Sequence, residues 1–292
     1  MAEKKVRRGD RRDGVWLRDL DPLHVFTPYL MPNRADNEAF IEETIDLTAI
    51  NAYLEKKNLE DPEFKYTFFH IILAALVKTV TLRPRMNRFI AGNRMYQRNV
   101  LTGAFVMKKQ FSDTAKESLL FIQFEDTDTV DDVHNRIKKE VLAYRNEVAV
   151  DNSTAYMDIL GKLPRPILRF VIRILFWLDY HGRVPLFLVK DDPNYASIFV
   201  SNLGSIKLNA AYHHLNNWGT NSFFVTIGEK HLHPYYDEKG NVEMREVLNL
   251  GFTLDERIAD GYYYSRTIRL FKYLLQHPQL LEKPAKEEVD YE

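Results

Sequence analysis

Residues 250–281 read LGFTLDERIADGYYYSRTIRLFKYLLQHPQLL, and this stretch decides the fold. An apolar segment leads into a short charged loop that ends in Asp260 and Gly261. Apolar residues then recur at helical spacing until His277 and Pro278. The pattern predicts a strand, a tight loop and an amphipathic helix. A second marker lies upstream at residues 198–204, IFVSNLG, where an apolar strand runs into a glycine-containing loop.

The remaining segments predict an α/β domain. Strands are predicted at residues 39–47, 119–124, 223–227 and 247–254, and helices at 47–57, 66–82 and 129–144. Pro22, Pro28 and Pro32 predict that residues 23–32 enter the domain as an extended or turning segment. Strands that alternate with helices and hairpins indicate a layered domain with a mixed sheet.

The composition excludes several classes of protein. Among 292 residues, 40 Lys and Arg face 41 Asp and Glu, so no basic excess indicates a nucleic-acid partner. The absence of cysteine excludes disulfide frameworks, zinc–thiolate sites and thiol nucleophiles. The first twelve residues carry six cations and no apolar core, which is unlike a secretory signal and predicts a cytoplasmic protein. We expect a basic arm at 1–21, one domain at 22–282 and a charged tail at 283–292.

The two markers together resemble one family. Residues 250–281 are similar to the carboxyl end of the acyltransferase domain of 2-oxo acid dehydrogenase complexes and of chloramphenicol acetyltransferase. Residues 198–204 resemble the T-I-S-N-L-G strand and loop of that family, and residues 67–87 resemble its early helix ending in Pro-x-x-Asn. The resemblance implies a two-layer α/β sandwich with helices packed on a mixed sheet, assembled as a trimer or a larger cubic particle. It covers roughly residues 22–281, with no lipoyl domain in the chain.

The resemblance also assigns roles to residues. Ser201 takes the place of the serine that donates a hydrogen bond to the tetrahedral oxyanion, with Asn202 and Gly204 beside it in the substrate or CoA channel. Asp260 takes a structural role in which it pairs with an arginine, and Arg34 is the candidate partner. The flanking residues Arg257 and Gly261 support the loop, with Gly261 permitting the tight turn into the last helix.

Glu256 stands where the family has its catalytic histidine. A glutamate is normally a weaker base than imidazole by about 3 kcal/mol, if the difference in pKa is fully expressed. Burial in a dry pocket raises the pKa of a carboxylate and restores basicity, whereas an inward-pointing Arg257 would lower it. The family reaction is therefore either run by Glu256 in a modified site or lost.

The histidines allow alternatives. His213 and His214 mimic part of the family motif in the loop after Ser201, so His214 is a candidate catalytic residue and His213 a candidate channel residue, or both make loop or subunit contacts. His70 is predicted to be a core histidine. His231 and His233 have no evident third ligand, so no metal site is predicted.

Residues 156–189 fit the family poorly. Four cations spaced three and four apart form a basic stripe on an otherwise apolar helix: Lys162, Arg165, Arg169 and Arg173. Such a helix lies either in a membrane interface or under another subunit, with its cations reaching solvent.

Three functions therefore compete. The resemblance favours an acyltransferase that moves an acyl group from CoA to an unknown acceptor, in a channel where Glu256 of one subunit meets Ser201 of the next. A non-catalytic scaffold with the same fold is the second. A peripheral membrane protein that docks through the basic stripe and the amino-terminal arm is the third.

Overall fold

A computed structural model describes residues 7–60, 62–108, 117–145, 160–190 and 192–291. Within these ranges the strands are β1 (Gly14–Trp16), β2 (Glu38–Asp46), β3 (Arg88–Ala91), β4 (Arg94–Arg98), β5 (Leu101–Lys108), β6 (Glu117–Phe124), β7 (Ile198–Asn202), β8 (Phe223–Ile227), β9 (His231–Tyr236) and β10 (Val242–Asp255). The helices are α1 (Pro22–Leu30), α2 (Thr48–Lys57), α3 (Phe68–Leu82), α4 (Val130–Arg145), α5 (Arg165–Tyr180), α6 (Leu186–Val189) and α7 (Gly261–Gln276).

The main sheet is mixed, as predicted. Its strands run in the order β2-β10-β8-β7-β5-β6, and β9 pairs with the first half of β10. The contacts of β7 with β5 and with β8 are parallel, and the other pairings are antiparallel. Because β5, β7 and β8 run parallel, the carboxyl ends of β5 and β7 lie at the same end of the sheet, and Ser201 lies there.

Helix α3 forms the centre of the core, which confirms the buried helix predicted over residues 66–82. Almost all of its side chains are buried, because apolar residues occupy its whole circumference. Thr67 caps the helix, and the backbone N–H of Thr67 donates to Nδ1 of His70 in the third helical position. The buried Lys78 donates to the carbonyl oxygen of Pro284 at 2.8 Å, which ties the carboxyl-terminal segment to the core.

The extended segment predicted over residues 23–32 is wrong, because the structure has helix α1 there. Pro22 sits in the first helical turn, where its missing N–H has no partner to lose. The Asp21 carboxylate accepts from the backbone N–H groups of Leu23 and His24 and caps the helix. Pro28 lies within the helix and removes one hydrogen bond, a loss that is tolerated in the last turn of a nine-residue helix.

Residues 7–16 are strapped onto the domain. Strand β1 pairs with β4, and the Arg11 guanidinium donates to the carbonyl oxygen of Asp179 at 2.6 Å. The Asp179 carboxylate accepts from the Tyr195 hydroxyl at 2.7 Å, while burial raises the pKa of that carboxyl. The described part of the basic arm is therefore a surface strap that contacts the end of helix α5.

Candidate active site

Ser201 lies near the end of β7 on the wall of a large cavity of about 610 Å³. The preceding residue, Val200, points into the core, so strand alternation turns Ser201 to the other face. Ser201 is half-buried, and among the described residues its hydroxyl makes no side-chain hydrogen bond. The hydroxyl is therefore available to a molecule in the cavity.

Asn202 and His213, for which channel roles were predicted, line the same cavity. Nδ1 of His213 donates to the carbonyl oxygen of His214 at 2.8 Å, and the imidazole stacks on Phe224. This hydrogen bond leaves Nε2 of a neutral His213 as an acceptor. His214 stacks on His213 but does not line the cavity, so within one chain the structure brings His213 rather than His214 to Ser201.

Gly204 is not a channel residue in the described chain. A Cβ at this position would come within 2.6 Å of the carbonyl oxygen of Gly228. The glycine is therefore required by the close approach of the loop after β7 to the turn after β8, and not by contact with a ligand.

Two buried arginines anchor the loop between β7 and β8. Arg34 donates to the carbonyl oxygens of Asn216 and Gly219 at 2.6 and 3.0 Å. Arg98 donates to the carbonyl oxygens of Tyr195 and Thr220, both at 2.8 Å. Burial lowers the pKa of Arg98 to about 10, so it remains charged at neutral pH. These contacts fix the loop that carries His213.

The predicted pairing of Arg34 with Asp260 is wrong, because Arg34 lies beside Asp255. Nε of Arg34 is 3.6 Å from the Asp255 carboxylate, and Arg257 binds the same carboxylate with two hydrogen bonds of 2.8 and 2.7 Å. Arg257 also donates to the carbonyl oxygen of Met31. Asp255 is fully buried, and a buried carboxylate needs such compensation. Arg257 therefore points inward, which is one of the two possibilities considered from the sequence. Its guanidinium group pairs with the Asp255 carboxylate.

Asp260 and Gly261 begin helix α7. The Asp260 carboxylate accepts from the backbone N–H of Tyr263 at 2.8 Å and lies 3.6 Å from Nη1 of Arg85. Asp260 is therefore a helix cap with an exposed arginine neighbour. Gly261 has no left-handed backbone conformation, and a Cβ there would meet no atom within 4 Å, so the turn does not require glycine in the single chain.

Glu256 is exposed and lies far from Ser201 of the same chain. Ser201 pairs with Thr226, and Thr226 pairs with Gly251, which places Ser201 two strands away and five residues back from Glu256. Standard sheet dimensions convert this register to about 10 Å across and about 17 Å along the strands. No single chain brings Glu256 and Ser201 together.

Sequence reasoning missed two residues of the site. Asp255 was noted only as part of a motif, although it is the buried anion to which Arg34 and Arg257 converge. His70 was assigned to the core, and it is buried, but it also lines the Ser201 cavity. Its signal in the sequence was its position three residues after Thr67, where helices commonly carry Glu or Gln in a capping box.

Neither a metal-binding cluster nor a membrane-spanning helix is found among the described residues. No group of three His, Cys, Asp or Glu side chains could hold a metal ion there. Within the same ranges, every helix is too short or too polar to cross a bilayer.

Comparison with known proteins finds a family model that matches part of the chain. Residues 188–282 match the model of the 2-oxoacid dehydrogenases acyltransferase catalytic domain, and this segment includes Ser201, the anchored loop and α7. This part of the chain is similar to that acyltransferase domain. A search of curated proteins finds no match to the sequence.

Solved structures share the fold along most of the acyltransferase-like chain. A probable dihydrolipoamide acetyltransferase of Listeria monocytogenes 4b F2365 is 13% identical, with a TM-score of 0.57 over 96% of this chain and 99% of that one. The cubic core of the pyruvate dehydrogenase multienzyme complex is 15% identical, with a TM-score of 0.53 over 88% and 87%. A chloramphenicol acetyltransferase is 11% identical, with a TM-score of 0.50 over 92% and 100%. The chain therefore has the chloramphenicol acetyltransferase-like α/β fold that the sequence predicted.

Proposed function

We propose that the protein is an acyltransferase that moves an acyl group from a CoA thioester to a nucleophilic acceptor, at a site shared between copies of the chain. The observation that carries the proposal is the position of Ser201, which presents its hydroxyl to a large cavity within the segment that matches the acyltransferase family. CoA enters the proposal as a substrate and not as a resident cofactor.

The chemistry assigned to Ser201 is electrostatic. When a nucleophile attacks a thioester, the carbonyl oxygen becomes an oxyanion, and a fixed hydroxyl donor stabilises that charge more than it stabilises the substrate. Removal of one such donor typically costs about 3 kcal/mol of transition-state stabilisation. A half-buried hydroxyl without an internal partner is suited to this role.

Glu256 is assigned as the general base, acting on the cavity of a neighbouring copy. Glu256 is exposed at the end of β10, and only an exposed side chain can reach across an interface to a neighbouring copy. It is too far from Ser201 of its own chain for the two side chains to act on one substrate within a single subunit. The fold shared with a cubic core supports a trimeric or larger assembly.

The test is acyl transfer measured as thiol release from a series of acyl-CoA thioesters with amine, alcohol and thiol acceptors. Glu256→Gln and Ser201→Ala should each reduce turnover by at least a hundredfold without a change in oligomeric state. Glu238→Gln, on the exposed turn between β9 and β10, is the matched control and should retain full turnover. Unchanged turnover in Glu256→Gln would remove Glu256 from the mechanism.

A scaffold that retains the fold without turnover is the second candidate, and the presence of Glu256 where the resembling family has its catalytic histidine favours it. Calorimetric titration with CoA distinguishes the two. A scaffold without a CoA site shows no heat of binding in the assembled protein, whereas the acyltransferase binds CoA even when Glu256 is replaced by Gln.

Docking to an anionic membrane surface is a third candidate role, supported by the outward face of α5. Phe170 and Trp177 are 64% and 55% exposed, and Arg165, Arg169 and Arg173 are exposed beside them. The strap places Arg12 near the last turn of α5, since Arg11 binds Asp179 and Arg12 reaches the carbonyl oxygen of Val184. Aromatic and basic residues on one face are typical of interfacial helices.

Co-sedimentation with vesicles tests this role. The wild-type protein should sediment with vesicles that contain anionic phosphatidylglycerol and remain in solution with neutral phosphatidylcholine. The variant with Glu at positions 165, 169 and 173 should lose binding, and a control with Glu in place of Lys207, Lys239 and Lys286 should keep it. Equal binding by both variants would exclude α5 as the docking helix.

A further inference from the structure

The cavity beside Ser201 is apolar apart from a few uncharged polar groups. Its walls are formed largely by Phe69, Phe105, Phe199, Phe224, Met107 and Ile137. Among the described residues that line it, none is Asp, Glu, Lys or Arg. The polar groups are two serine hydroxyls, the Asn202 amide and the imidazoles of His70 and His213. A site of this composition favours a ligand whose enclosed part carries no charge.

The size of the cavity exceeds what an acetyl group needs. At about 30 Å³ for a water-sized group, about 610 Å³ accommodates roughly twenty such groups, whereas an acetyl group has three non-hydrogen atoms. Even half of the cavity volume is enough for an acyl chain of roughly ten carbons.

His70 contributes a neutral imidazole to the cavity wall. Its Nδ1 accepts from the backbone N–H of Thr67 at 3.0 Å, so the proton of the neutral imidazole lies on Nε2. Burial and the neighbouring His134 lower the pKa of His70 to about 4, which keeps the ring neutral at physiological pH. Because Nε2 has almost no accessible surface, the ring gives the wall shape and an uncharged surface rather than a donor for a ligand.

We infer that this cavity binds the acyl group of the substrate, and that the acyl group is an uncharged and predominantly apolar chain or ring much larger than acetyl. The inference rests on the proposed function, because it names the substrate class of the Ser201 site.

Binding is measured by calorimetry with unreactive thioether analogues, ethyl-CoA and octyl-CoA, and with the charged carboxypropyl-CoA. Octyl-CoA should bind at least thirtyfold more tightly than ethyl-CoA, because each buried methylene group contributes about fourfold in affinity. Carboxypropyl-CoA should bind no better than ethyl-CoA. Equal affinities for the three analogues would overturn the inference.

Two variants locate the effect in this cavity. Val106→Trp fills it and should reduce octyl-CoA affinity by at least tenfold while ethyl-CoA affinity changes less than twofold. The matched control, Val242→Trp on an exposed strand, should change neither. Equal losses for both analogues in Val106→Trp would contradict the assignment of the cavity to the acyl chain.

Turnover separates this inference from the proposed function. Chain-length-dependent binding without thiol release from any acyl-CoA supports the cavity assignment and contradicts the acyltransferase. Turnover that is confined to acetyl-CoA, without tighter binding of octyl-CoA, supports the acyltransferase and overturns the cavity assignment.

Discussion

At the scale of single residues, the site depends on one buried anion. Asp255 carries the charge that Arg34 and Arg257 share, and its backbone carbonyl accepts from the Tyr264 hydroxyl at 2.8 Å. The motif around Asp260 and Gly261 was predicted from the sequence together with the helix that follows. The partner of Arg34 was not, because Asp255 and Asp260 stand five residues apart and only the tertiary fold decides which of them faces inward.

Asp255→Asn should destabilise the protein by about 4 kcal/mol, because two buried guanidinium groups lose their counter-charge. Urea unfolding followed by circular dichroism measures the change. Asp260→Ala, which removes only a helix cap, should cost about 1 kcal/mol and provides the comparison. Equal losses in the two variants would contradict the central role of Asp255.

His70 should make the stability of the protein sensitive to acid. Its pKa is lowered to about 4 in the folded state from about 6.5 in the unfolded state, so the unfolded chain binds more protons between these values. Stability present above pH 6.5 is therefore lost as the pH falls toward 4, by about 3 kcal/mol. His134 and the Tyr66–Asp131 pair lie nearby and are present in both proteins compared.

The measurement is the free energy of unfolding of the wild type and of His70→Gln at pH 7 and at pH 4. The wild type should lose about 3 kcal/mol more than the variant over this interval. Parallel losses would show that His70 does not titrate with a depressed pKa.

At the scale of elements, hydrophobic periodicity predicted the buried helices and strands. It failed at the helix whose start depends on a capping side chain. The buried helix α3 and the strands that follow it were predicted because their apolar patterns are long. Helix α1 was not predicted, since the proline rule was applied without the cap that Asp21 provides. The strand predicted at residues 247–254 proved to be the second half of a fourteen-residue strand, β10, which is continuous because it pairs first with β9 and then with β2 and β8.

The loop between β7 and β8 should loosen when Arg98 is removed. Arg98→Met leaves the carbonyl oxygens of Tyr195 and Thr220 without their donor in a buried place. We expect a loss of about 3 kcal/mol in stability and faster amide hydrogen exchange over residues 203–222. Arg88→Met, at a strand outside this loop, should leave exchange there unchanged. Unaltered exchange in Arg98→Met would show that other contacts hold the loop.

At the scale of the whole molecule, the described residues include helix faces whose large apolar side chains are exposed in the single chain. Besides α5, helix α1 leaves Leu23, Phe26 and Leu30 mostly exposed. The sequence predicted the fold but not the geometry of a complete site, because Glu256 and Ser201 come from distant points of one chain.

Light scattering should therefore give a mass of three chains or a multiple of three. Replacement of Leu23, Phe26 and Leu30 by Ser should reduce that mass to one chain while the far-ultraviolet circular dichroism stays unchanged, because these side chains contribute little to the core of the single chain. Replacement of the equally exposed Leu232, Val242 and Met244 by Ser should leave the assembly intact. An unchanged mass in the α1 variant would place the interface elsewhere.

The contact of Arg11 with Asp179 makes the leading residues of the polypeptide part of its architecture. A shortened protein that starts at Gly14 would keep every strand of the main sheet, yet the last turn of α5 would lose the guanidinium that pins it. Asp179 would then keep the hydrogen bond from the Tyr195 hydroxyl but lose its ion pair with Arg11. Trimming the front of this polypeptide thus affects a helical residue 168 positions further along the chain.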